Sequence, residues 1–148
     1  MEIFQQLIWD LGELTNIALH VDNNQACNIL LDDKLEIQLQ MDNHHEFLVM
    51  YGYLGEISPG RYREDVFKEA LKFNFSSSFF GHLAFYEKKN QLILQKNLPA
   101  ENLKAEVLLQ NLEEFIEESK EWYNTFKNGG TVPIKYKTSS PFKPPFSI

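Results

Sequence analysis

The residues of this 148-residue chain that could do chemistry are few and scattered. His44-His45 follows Asp42, and such a trio could hold a metal. Adjacent histidines diverge in a strand or turn, however, and no CxxC, HExxH or third ligand stands nearby. The group reads as a polar hairpin turn. Asp32-Asp33 could take a cation and reads better as a turn. His82 sits in an apolar run, as a satisfied or interfacial histidine does. Cys27 has no cationic sequence neighbour to lower its thiol pKa, so it reads as a buried structural thiol. A nucleophilic role would need a histidine brought in by the fold. Gly129-Gly130 is the one glycine pair and opens no helix, so there is no phosphate cradle. Nothing matches GxSxG or a P-loop. Glu113, Glu114, Glu117, Glu118 and Glu121 form a solvated helix face, or else steer a basic partner. No catalytic residue, metal or cofactor is expected.

Positioning elements follow from hydrophobic spacing. Phe4, Leu7, Ile8, Leu11, Leu14 and Ala18 recur at steps of three and four, which predicts a helix over 3–18, its stripe widened by Ile3 and Trp9. Three strands follow: 26–31, 34–41 and 47–54. The second alternates cleanly, with Leu35, Ile37, Leu39 and Met41 opposite Glu36, Gln38 and Gln40. The third is apolar on both faces, so both expect cover. Ser58-Pro59 signals a helix start. Tyr62, Val66, Phe67, Ala70 and Leu71 make its stripe, and Arg61–Asp65 and Glu64–Lys68 its i,i+4 pairs, each worth about 0.2–0.5 kcal/mol. A hairpin over 80–99 and a long helix over 100–127, stopped at Gly129, complete the order α-β-β-β-α-β-β-α. This is an α+β fold: an antiparallel sheet with helices covering one face.

The hairpin GHLAFYEKKNQLILQKNLP carries too much apolar surface for a sheet with one wet face. Leu83 and Phe85 oppose Ala84 and Tyr86, and Leu92, Ile93 and Leu94 run together. A second copy of the chain meeting the middle helix and hairpin across a two-fold axis would bury that surplus.

Composition narrows the partners. The net charge is −7 with a pI near 5.1, which argues against nucleic acid and anionic membrane. A single cysteine cannot form an internal disulfide and points to a reducing compartment. Acids stand near the N-terminus where a signal peptide carries bases, and no apolar run approaches membrane-spanning length. A cytoplasmic protein is expected. Charge is uneven along the chain. Lys135, Lys137 and Lys143 stand without acids in 128–148; the 14 bases less these three leave 11 against 21 acids in 1–127. Two parts are read: a folded domain over 1–127 and a basic, Pro-rich flexible tail over 128–148 that docks loosely on the acidic body or serves as a polyproline ligand.

With these elements in place, the chain resembles the class I chaperones of type III secretion, the Tir-chaperone (CesT-like) family. The resemblance is carried over about residues 1–127 by LLDDKLEIQLQ after an amphipathic helix, FLVMYGYLGEI, the helix ending EALKFNF, the hairpin above and a long acidic helix. It implies a bacterial, cytoplasmic homodimer without enzymatic activity. Such a protein binds the N-terminal non-globular segment of secreted effectors and keeps it export-competent until the secretion ATPase strips it off. By position, the resemblance maps dimerisation onto Tyr62, Val66, Phe67, Ala70, Leu71 and Phe85. It maps effector binding onto Leu7, Leu11, Ile29, Leu31, Leu35 and Ile37. Two other readings stay open on sequence. One is a small-ligand or enzymatic α+β domain lined by Tyr51, Tyr53, His82 and Tyr86. The other is a dimeric adaptor for a folded partner.

Overall fold

The structure is a computed structural model; it describes residues 2–32, 34–76 and 81–127. The elements are α1 (Ile3–Thr15), β1 (Ala26–Leu31), β2 (Leu35–Met41), β3 (Phe47–Glu56), α2 (Arg61–Ser76), β4 (His82–Tyr86), β5 (Gln91–Pro99) and α3 (Ala105–Lys127). They follow the order expected from spacing. The strands form one antiparallel sheet in the order β1-β2-β3-β5-β4. The crossover through α2 thus inserts β5 between β3 and β4.

Each boundary has a local cause. At the start of α1 the Gln5 side chain accepts the Glu2 N–H at 3.4 Å. Asn16, left-handed at φ 57, ends the helix three residues earlier than the apolar spacing suggests. Leu14 and Ala18 therefore lie exposed rather than on the core stripe. In the β2–β3 turn the Asp42 carboxylate accepts the Glu46 N–H at 2.8 Å, and His45 sits at φ 58. The histidine pair is turn chemistry, as its sequence implies. Helix α2 begins at Arg61 and not at Ser58-Pro59, because Gly60 at φ 143 breaks the chain first. Residues 100–104 form a turn, so α3 starts at Ala105.

Register sorts the side chains. Cys27, Ile29 and Leu31 pair with Leu39, Ile37 and Leu35, and Leu48, Met50 and Gly52 with Leu98, Lys96 and Leu94. These residues, with Leu83, Phe85 and Leu92, face the helices. The hairpin is therefore less two-faced than its sequence: Leu92 and Leu94 point in, and Ile93 points out beside Ala84. Likewise only one face of β3 is layered by helices. Val49 is nonetheless buried, while Tyr51 and Tyr53 are half-buried on the other face.

Helix α3 packs on β3, α1 lies against α3, and α2 covers β4. Phe73 of α2 meets Trp122 of α3 edge-on at 5.5 Å, joining the helices over the sheet. The approach of α3 to β3 depends on Gly52: a Cβ there would stand 2.7 Å from Ser119 Oγ. Lys96 is the exception on the apolar face. Its Nζ donates to Asn111 Oδ1 at 3.1 Å, and partial burial lowers its pKa although Glu114 works the other way.

Candidate functional site

The sheet has two edges, and the chain treats them differently. At β4, α2 crosses the edge and Asn74 closes it. Leu83 N–H donates to Asn74 Oδ1 at 2.7 Å, and Asn74 Nδ2 donates to the Leu83 carbonyl at 3.0 Å. A side-chain amide thus takes both outward backbone groups of Leu83, which a further strand would need. Alanine at Asn74 should cost about 1–3 kcal/mol, since both groups lose their partner. Urea unfolding of Asn74→Ala and Asn74→Asp checks this; the aspartate keeps the acceptor and should cost less.

At β1 the arrangement is the reverse. The first residue is tied to its own preceding loop: Asp22 N–H donates to the Ala26 carbonyl at 2.8 Å, and Ala26 N–H to Asp22 Oδ1 at 3.0 Å. From Asn28 to Leu31, β1 has a strand on one side only. Leu30 is 58% exposed there, and Ile29 and Leu31 are half-buried. Near the start of β1, α1 and the loop after it enclose an open groove of ≈ 710 Å³ lined by Trp9, Gly12, Glu13, Ile17, Leu19 and His20. The His20 backbone reaches the Cys27 thiol, which fixes that loop against β1. Burial pushes the thiol's pKa up, so Cys27 is a packed, protonated group and a poor nucleophile. Trp9, 60% exposed, and Ile17 give the groove apolar walls.

An apolar groove, ≈ 770 Å³, lies at the end of the sheet where β1 begins, between Ile3, Met41, Phe47, Pro99, Ala100 and Leu103. Among the described residues no cluster of three or more His, Cys, Asp or Glu could hold a metal ion. No helix among them is long and apolar enough to cross a membrane.

The residues expected to bind an effector divide. Leu7, Leu11, Leu35 and Ile37 are buried in the core, where they hold α1 and β2 in place. Ile29 and Leu31 lie on the edge strand β1, half-buried against the core. Trp9 and Ile17, on the groove wall, and Leu30, exposed on the opposite face of β1, were not singled out from sequence. A helical stripe cannot tell a widened core from a second face, and Trp9 stood at the margin of one.

The residues expected at the dimer interface divide too. Val66 and Ala70 are core residues. Phe67 and Phe85 meet edge-on at 5.0 Å, half-buried, with the Arg63 guanidinium 4.8 Å above the Phe85 ring. Leu71, at 70%, and Tyr62 are exposed. Phe75, one turn beyond Leu71 and 49% exposed, extends the outer stripe. Phe73, which the sequence stripe omitted, is instead fully buried. Tyr51, Tyr53, His82 and Tyr86 stand on the sheet face opposite the helices, with Tyr53 donating to Gln38 Oε1 at 3.0 Å.

The model of the Tir chaperone protein (CesT) family matches residues 6–123. The chain belongs to this family. Solved structures agree on the fold. The HopA1–SchA chaperone–effector complex contains a chain 20% identical with a TM-score of 0.66, over 82% of this chain and 94% of that one. The ExsC–ExsE complex gives 17% identity and a TM-score of 0.71, over 91% and 99%. The ExoT–SpcS complex from Pseudomonas aeruginosa gives 16% and 0.60, over 80% and 96%. No curated protein sequence matches the chain.

Proposed function

We propose that this protein is a non-catalytic cytoplasmic chaperone of type III secretion. It binds the N-terminal, non-globular segment of an effector, holds it extended, and yields it to the secretion ATPase. Family membership supports the class of protein. The observation that carries the mechanism is the unequal pair of sheet edges: one capped at Leu83 by Asn74, one open along β1. An extended segment adds to an open edge through backbone hydrogen bonds, each worth about 0.5–1.5 kcal/mol net. Those bonds read no sequence, which suits a chaperone that must accept an unfolded chain. Apolar side chains entering the groove add about 25 cal/mol per Å² buried. They must also offset the roughly 2–5 kcal/mol or more needed to order the segment.

The working unit in this reading is a homodimer. Leu71 and Phe75 leave apolar area on the outer side of α2, on the stripe of Phe67 and next to Phe85, and a second copy would cover it. A monomeric mass at micromolar concentration would remove this part of the reading.

The test is affinity capture from the native host, then limited proteolysis and mass spectrometry of whatever is held. Protection of a stretch near the N-terminus of another protein is the expected result. Capture only through a folded portion would favour an adaptor, and no captured polypeptide would sink the chaperone reading. Leu30→Asp and Leu31→Asp should each weaken capture at least about tenfold, equivalent to about 1.4 kcal/mol. Unchanged capture by the folded variants would move the site away from β1.

A further inference from the structure

We propose that Arg63 is a positioning residue for the contact between two copies of this chain: it fastens the start of α2 to the β4–β5 hairpin, and so sets how Leu71 and Phe75 stand beside Phe67 and Phe85. The proposal rests on the two-fold dimer of the reading above.

The first argument is what one side chain holds together. Arg63 Nε and Nη2 donate to the Ile57 carbonyl at 3.1 and 2.6 Å, and Nη2 also donates to Asn90 Oδ1 at 2.9 Å. Its guanidinium lies 4.8 Å above the Phe85 ring. Ile57 follows β3, Asn90 lies in the turn between β4 and β5, and Phe85 is on β4. The Ile57 N–H in turn donates to the Asn90 carbonyl at 2.7 Å, so the two segments that Arg63 joins are already tied to each other. A planar fork can donate to a carbonyl and an amide while lying over a ring; a lysine offers a single point charge.

The second is where Arg63 stands on the helix. At about 100° per residue, Arg63, Phe67 and Asn74 fall within about 40° of one another. All three meet the hairpin, Phe67 against Phe85 and Asn74 against Leu83. This seam lies between the buried stripe of Val66, Ala70 and Phe73 and the exposed side of Leu71 and Phe75. Asn74 fixes the far end, about 16 Å further along the helix. Two fixed ends set the direction of a rod.

The third is symmetry. A two-fold contact is self-complementary, so each copy presents the same face to the other. A tilt of α2 on its own sheet is then repeated by the partner, and the two errors add at the contact. The bonds of Arg63 are all within one chain. It holds the face, while Leu71 and Phe75 supply the apolar area.

Sedimentation equilibrium of the full chain gives the dimer dissociation constant, with circular dichroism to follow folding. Arg63→Met should raise that constant at least about tenfold, and Arg63→Lys by less. The comparison is Leu108→Val, a core change at the start of α3, about 21 Å along that helix from the Trp122 on which α2 packs. It should lower the melting temperature and leave the dissociation constant of the folded chain unchanged. Asn90→Gly removes one acceptor of Arg63 and tolerates the φ of 52 at that position, so it serves if Arg63→Met does not fold. It should weaken the dimer about threefold. A folded Arg63→Met, or in its place Asn90→Gly, that dimerises like the unaltered chain overturns the proposal and leaves the dimer standing. Equal weakening by Leu108→Val also overturns it, because dimerisation would then merely follow stability. Full restoration by lysine overturns it as well, since charge alone would suffice. An unaltered chain that is monomeric at tens of micromolar removes the dimer reading and this proposal with it.

Discussion

Trp122→Ala should destabilise the fold by about 3–5 kcal/mol, a large part of the roughly 5–15 kcal/mol that holds a domain together. Trp122 is fully buried and is the largest side chain in that state. Its ring meets Phe73 edge-on at 5.5 Å and Phe126 at 5.7 Å, so it joins α2 to α3 and closes the end of the core. Its indole N–H donates to Glu118 Oε1 at 3.3 Å, inside the same buried region. Alanine leaves a cavity that two helices and a sheet cannot collapse into without shifting α3. Trp122→Phe keeps the ring contacts and gives up the indole bond, so it should lose markedly less. Urea unfolding followed by circular dichroism separates the two. A loss below about 1 kcal/mol in the alanine variant would mean that α2 is not anchored through this ring.

Ile37→Asp should abolish folding, whereas Leu30→Asp on the neighbouring strand should leave it intact. Ile37 is fully buried under α3, near Gly52 and Ser119, with no room for water around a carboxylate. Burying an unpaired charge there costs more than about 4 kcal/mol, or forces the group to take up a proton. Leu30 is already more than half exposed on the open edge, where such a change normally moves stability by only about 0.5 kcal/mol. Thermal melts and gel filtration of the two variants check this. A native-like Ile37→Asp protein would show β2 to be a surface strand. The contrast also decides which variants can report on cargo: a loss of capture by Ile37→Asp would be a folding defect, while a loss by Leu30→Asp would not.

Much of the fold was legible because local spacing and tertiary burial agreed. Strand β2 alternated, and Leu35, Ile37, Leu39 and Met41 are its buried residues. Strands β1 and β2 and the element order also follow from the sequence. The misreadings share one physical origin. Period reveals that a face is apolar but not what covers it. On α2, Val66, Ala70 and Phe73 face the core, whereas Leu71, only one position from Ala70, turns away from it. In β5 the run Leu92-Ile93-Leu94 looked two-faced until pairing with β4 and β3 sent Ile93 outward. The candidate site was less legible still. Which edge is open depends on strand order, which depends on β5 pairing with β3 across α2. No window of adjacent residues contains that relation. Nor does the sequence around Asn74 say that its amide will meet Leu83.

The Asn74 clamp has a consequence for stoichiometry. A sheet with two open edges can be entered from either side, and each added strand exposes a new template, so association has no natural end. Here one side is already saturated at Leu83 by a side chain of the same molecule. Strand addition is thereby directed to β1, and one guest uses up that position. Each chain then offers a guest one open edge, that of β1. A protein built this way can take up a sticky, unfolded chain and still remain a finite particle.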